Sequence, residues 1–151
     1  MAALILLSWC VSCHSPQPTP VTVLPQGLLP SQAQVAEVRG FGARGRNPGG
    51  AWRKLQLSDW LAMGATVQTP PTTGLTLRLY EAGLLVHLKT NTVVRLEQLA
   101  YRRDGAAVTT FTVLDLSQGE VAVDDSNLTP GSEFEIRTPQ GTTRIPPRGA
   151  R

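Results

Sequence analysis

Cys10-Val11-Ser12-Cys13-His14 brings the most reactive chemistry of this 151-residue chain into the fewest residues. A C-x-x-C-H pentapeptide supplies two thiols for thioether bonds to a haem and an imidazole for its iron, with Met63 or His87 as candidates for the opposite ligand. Its thiols are the only two in the chain, so the region after them offers no cysteine nucleophile, metal ligand or disulfide. Gly40-Phe41-Gly42-Ala43-Arg44-Gly45 has the G-x-G-x-x-G spacing, which cradles a phosphate when a helix begins behind it. Asn47-Pro48-Gly49-Gly50 follows instead and predicts a glycine-rich hairpin loop. Asp124-Asp125-Ser126-Asn127 lacks the spaced carboxylates and glycine of a calcium loop and reads as a turn, while Asn127-Leu128-Thr129 is a sequon in form only. Beyond the N-terminal segment the only histidine is His87, and neither a nucleophile elbow nor an acid pair accompanies it. The expectation is a chain without catalytic residues, metal, cofactor or small-molecule substrate.

The flanks of the pentapeptide decide how it reads. Ala2 to Ser12 is apolar and uncharged, the length of a signal-peptide core and well short of the roughly 20 residues that span a bilayer. Ser12 ahead of Cys13 fits a bacterial lipidation signal, in which the cysteine is diacylated and becomes the new N-terminus; Cys10, behind bulky Trp9, fits it less well. Pro16, Pro18, Pro20, Pro25 and Pro30 then form an extended, semi-rigid spacer of the kind that holds a domain off a membrane. Three readings stand: lipidation at Cys13, plain export, and haem attachment through Cys10, Cys13 and His14. The chain divides into a signal segment at 1–13, a Pro-rich linker at 14–32 and a folded domain at 33–151.

About 115 to 120 residues are left to fold, enough for one adequate core. A net charge of +3, with acids scattered among the bases, argues against a dedicated nucleic-acid binder. Arg39, Arg44, Arg46, Arg53 and Lys54 gather around the glycine-rich loop and read as a solvated, charged hairpin. Trp52, Trp60, Tyr80 and Tyr101 are expected in the core, Trp52 and Trp60 above all, because a small β domain needs large side chains to fill it.

From Val35 onward the hydrophobic pattern has period two in short pieces. Leu75-Thr76-Leu77-Arg78-Leu79 alternates cleanly; Leu84 to Leu88, Val94 and Leu96, Val113 to Leu116, Val121 and Val123, and Phe134 and Ile136 continue the series. Turn residues punctuate it at Asn47-Pro48-Gly49-Gly50, Pro70-Pro71, Ala82-Gly83, Asp104-Gly105, Gln118-Gly119 and Pro130-Gly131. The spacing predicts about eight to ten strands. Leu57 to Met63 is the best candidate for a helical turn, ended by Gly64. Strands without intervening helices must cover one another, which predicts an all-β fold, a twisted sandwich or a solenoid-like stack.

In order along the chain, these elements resemble the FecR domain. The family's V-x-G is Val38-Arg39-Gly40, and its following hairpin carries Trp52 with Leu55. Its G-D-x-L-x-x-G appears as Ser58-Asp59-Trp60-Leu61 with Gly64, followed by Val67 and Thr69. Leu77, Leu79, Gly83 and Val86 match strands around a turn, and Thr92-Val93-Val94-Arg95-Leu96 matches T-x-V-x-L. Leu116, Gly119 and Val121 form the L-x-x-G-x-V step, and Phe134, Ile136, Thr138, Pro139 and Gly141 close the domain. The resemblance covers Val35 to Gly149. Ser58 stands where the family has glycine, Glu81-Ala82-Gly83 replaces its usual turn, and its closing R-G-T appears only as Arg148-Gly149-Ala150. The family continues through further strands, so the resemblance implies a truncated C-terminus with an unpaired edge.

The resemblance implies a non-catalytic module of the bacterial cell envelope, periplasmic or surface-facing, that binds or scaffolds an envelope protein or glycan, in signalling among other settings. The founding members relay a signal from an outer-membrane transporter to a cytoplasmic sigma factor. Only their envelope-side module is expected here, attached to the membrane through lipid on Cys13, with haem-based electron transfer as the alternative.

Overall fold

Buried and exposed side chains alternate along strand after strand, and that alternation builds two facing sheets. The computed structural model describes residues 23–147, in which all regular structure is β. The larger sheet has eight strands: β1 (Leu29–Pro30), β3 (Arg44–Arg46), β4 (Arg53–Lys54), β6 (Thr66–Gln68), β9 (Val93–Asp104), β10 (Ala107–Gln118), β12 (Glu133–Thr138) and β13 (Gly141–Ile145). Its order is β13-β12-β10-β9-β6-β3-β4, with β1 also pairing to β9. The smaller sheet, ordered β11-β8-β7-β2-β5, holds β2 (Gln32–Arg39), β5 (Trp60–Ala62), β7 (Gly74–Leu79), β8 (Leu84–Leu88) and β11 (Val121–Asp124). The sheets do not close into a barrel.

The core lies between them. Val35, Leu75, Leu77, Leu79, Leu84, Val86 and Leu88 of the smaller sheet join Val67, Val94, Leu96, Leu99, Leu114 and Phe134 of the larger in one buried cluster. Burying each such side chain contributes about 1.5–3 kcal/mol, so the leucine-rich strands β7 to β10 dominate the stability. Polar groups inside are paired: Thr69 donates to the Lys89 carbonyl at 2.7 Å and accepts from the Thr92 amide at 3.0 Å. Gly119, at φ 89°, closes the turn from β10 to β11; a Cβ there would lie 2.5 Å from Thr92 Cα and 2.6 Å from the Asn91 carbonyl oxygen. Only glycine fits.

Among the described residues thirteen strands exceed the eight to ten that spacing implies, because pairs as short as Leu29–Pro30 and Arg53–Lys54 carry no alternation to read. Pairing begins at Leu29, inside the stretch read as spacer. Leu57 to Met63 is not helical: Leu57 and Ser58 form a turn and β5 follows at once. The Gly40 to Gly45 loop is not a hairpin either. It carries the chain from β2 in the smaller sheet to β3 in the larger, and the hairpin is the next connection, β3 to β4 through Asn47–Gly50. Asp124-Asp125-Ser126-Asn127 does turn, with the Ser126 amide donating to Asp124 at 3.0 Å.

Candidate functional site

The charges of the β3–β4 hairpin acquire a common direction through register. Gly45 and Leu55 point inward; Leu55 is buried and its methyls lie 3.0 Å from where a Cβ on Gly45 would stand. The residues on either side of Gly45 therefore face out: Arg44, opposite Lys54 and Gln68, and Arg46, opposite Thr66. Thr66 in turn is opposite Arg95, Arg95 opposite Asp115, and Asp115 opposite Arg137, so one row of outward positions crosses the larger sheet.

At the β3–β4 end of that row the cations surround exposed aromatic rings. The guanidinium of Arg46 lies 5.0 Å from the centroid of the Trp52 ring and that of Arg44 5.8 Å from it, while Lys54 Nζ lies 5.7 Å from the Phe41 ring. Trp52 is 40% exposed and Phe41 82%. Each such contact contributes about 0.5–1 kcal/mol at an exposed site, which orders the side chains; Arg44 also donates to Gln68 Oε1 at 3.5 Å, and the remaining N–H groups keep the capacity to donate. Among the described residues no carboxylate pairs with Arg44, Arg46 or Lys54. Arg53, pointing the other way, is used structurally. It pairs with Asp59 at 2.9 Å and donates to the Trp60 carbonyl at 3.1 Å, fastening β4 of one sheet to β5 of the other.

A cavity of about 470 Å³ opens beside the hairpin, and Arg46, Thr66 and Arg95 all line it. Asn47 and Gly64 line it as well; Asn47 Oδ1 accepts from the Ala62 amide at 2.9 Å, which fixes its amide plane and leaves its NH2 as the unused end. The lining contains no acid. A larger cavity of about 600 Å³, under β10, β12 and β13, has the opposite character. There Glu135 takes Arg137 at 2.7 Å and Arg144 at 3.5 Å, and the Arg137 hydrogen bond holds the Glu135 carboxyl below the ordinary carboxylate range.

Comparison of the chain with protein-family models, with curated proteins and with solved structures finds no match.

Other candidates read from the sequence fall in different places. Cys10, Cys13 and His14, with the lipidation and haem readings they carry, lie outside the described residues. Met63 is half-buried in the turn between β5 and β6, packed against the core, and His87 faces outward from the middle of β8. His87 Nδ1 lies 2.9 Å from the Thr76 hydroxyl, whose other neighbour, Glu37 Oε2, is 3.4 Å away. Both bases thus contact the hydroxyl, and Glu37 is held first by its hydrogen bond from Arg39, which lowers its pKa. That wiring differs from a relay in which the acid orients the imidazole. Trp52 and Trp60 are not core residues. Trp60 is 42% exposed on edge strand β5, its ring edge-on to Tyr80 at 5.5 Å, and Tyr80 is 60% exposed. Leucines and valines fill the interior and leave the larger rings to the rim.

Sequence reasoning noticed the basic cluster and read it as solvation. The signal that distinguishes it was present: Arg44-x-Arg46 and Trp52-x-Lys54 both have period two, which sets two cations, then a ring and a cation, on one face of a hairpin.

Proposed function

We propose that this chain is a non-catalytic, FecR-like module of the bacterial cell envelope that holds a protein or glycan of the envelope on the outer face of its larger sheet, at the β3–β4 end. The observation that carries this reading is the set Arg44, Arg46 and Lys54, unpaired with acid among the described residues and arranged around Trp52 and Phe41. Exposed rings beside uncompensated cations are costly to keep at a surface without use, and they are the side chains that anchor interfaces. Ser58, where the family carries glycine, has φ 71°, a conformation that favours glycine. Export through the N-terminal segment, a lipid on Cys13 and the Pro-rich spacer would set the domain at the membrane surface, in signalling or scaffolding.

Crosslinking in the native envelope, followed by purification of the chain, tests the proposal. The expected result is recovery in the envelope fraction with a crosslinked partner that is lost from the Arg44→Ala/Arg46→Ala/Lys54→Ala variant. Recovery from the cytosol alone, without a partner, overturns it.

A further inference from the structure

We infer that the cavity between Arg46 and Arg95 is a subsite for a phosphorylated sugar unit of an envelope glycan; this rests on the envelope reading above and narrows its ligand.

The lining selects for an anion. Arg46 and Arg95 both line it from the same outward face, separated by the two strand steps from β3 through β6 to β9, about 10 Å from backbone to backbone. Each guanidinium presents five N–H donors in a planar fork, and the Asn47 side chain adds an NH2 whose oxygen end is already engaged. Arg95 keeps one tie, to Glu97 at 3.2 Å, which positions it and leaves donors of the fork unused. Donors from three side chains, with no acid in the lining, suit a group that offers three acceptor oxygens on one centre, so phosphate fits better than a carboxylate with two.

Size and the neighbouring ring select for a sugar attached to that phosphate. About 470 Å³ is within the range of small-ligand sites and far more than a bare phosphate needs. Gly64, at φ 86°, lines it: a Cβ there would meet Pro48 at 2.8 Å, so Pro48 packs that closely only over glycine. Trp52, 40% exposed, lies against the lining residue Arg46, and the part of its ring that Arg44 and Arg46 leave uncovered offers apolar surface to the C–H side of a pyranose. Arg44 and Lys54, one register step further along the edge, extend the donor track beyond one unit, as a polymer with repeated charge would use. A nucleic acid would press a longer phosphate track than this edge supplies, and the acids of the β12–β13 end, Glu133 and Glu135, stand on the same sheet.

Titration of the purified full chain with glucose 6-phosphate, inorganic phosphate, glucose, glucuronate and uridine monophosphate, followed by nuclear magnetic resonance, tests the inference. Glucose 6-phosphate is expected to bind at least about tenfold tighter than each of the others, and Arg46→Ala or Arg95→Ala to weaken it at least about tenfold, the loss of one charge-assisted contact. Arg137→Ala, on the same face, is expected to leave binding unchanged, and unaltered spectra elsewhere show that each variant is folded. Equal binding of inorganic phosphate, tighter binding of the nucleotide, or indifference to both substitutions overturns the sugar-phosphate site. If that happens while the triple alanine variant still loses its envelope crosslink, only the ligand class falls; if the crosslink is also unaffected, the envelope-edge reading falls with it.

Discussion

The two ends of the larger sheet carry the same residue type on the same outward face and put it to different use. At β12–β13, Arg137 and Arg144 converge on one acid, Glu135, at 2.7 and 3.5 Å, so part of their charge is offset within the fold. At β3–β4, Arg44, Arg46 and Lys54 meet rings in place of acids, and their charge faces outward. Counting basic residues therefore misleads; what a cation is paired with determines whether it can recognise anything. An exposed ion pair contributes about 0–1 kcal/mol to stability, so the difference between the ends lies in availability more than in folding.

The largest expected effect comes from removing the free end. Arg44→Ala/Arg46→Ala/Lys54→Ala is expected to cut recovery of the crosslinked envelope partner about tenfold or more, whereas Arg137→Ala/Arg144→Ala leaves it within about twofold, measured by quantitative mass spectrometry of the crosslinked material. A second substitution attacks the hairpin without touching a cation. Gly45→Val forces its side chain against Leu55, buried at 1% exposure, and is expected to cost about 1–3 kcal/mol in urea denaturation while also weakening partner recovery.

Glu135→Gln is a way to erase the contrast. It releases Arg137 and Arg144, and a gain of a few fold in retention on an anionic column at neutral pH is expected, with little change in melting temperature. Acid should do the same to the native chain. The Glu135 carboxyl lies below its ordinary pKa because Arg137 donates to it, so its contribution to stability is present above the unfolded carboxylate pKa and is lost as pH falls through the lower folded value. Glu37, held down by Arg39, titrates in the same sense. Melting temperature against pH should decline below the ordinary carboxylate range, less steeply in Glu135→Gln. The smallest effect is at Ser58: with φ 71°, Ser58→Gly is expected to stabilise by about 0.5 kcal/mol, relief of left-handed strain offset by glycine's entropy when unfolded.

Legibility followed the same division. Strands β7 and β8 place leucine or valine inward at every second residue and β12 phenylalanine and isoleucine, while β9 and β10 keep the apolar alternation only in part, through Val94 and Leu96 and through Leu114 and Leu116; their all-β character was readable from the sequence. Strands β3 and β4 are short, lie at an edge and have glycine (β3) or arginine (β4) at the inward position, so no alternation marks them; their face follows from pairing with β6, about twenty residues away in sequence. Trp52 and Leu55 look equally suited to a core, and only the register of the hairpin sends one outward and the other in. Parallel pairing of β10 with β12, separated by a strand in the other sheet, likewise has no local signature.

A photoreactive residue placed at Thr66, between Arg46 and Arg95, or at Thr142, opposite Arg137, compares the two ends directly in the native envelope. Irradiation is expected to yield a covalent adduct from position 66 and none from position 142. An adduct from 142 with none from 66 would contradict the assignment of recognition to the β3–β4 end.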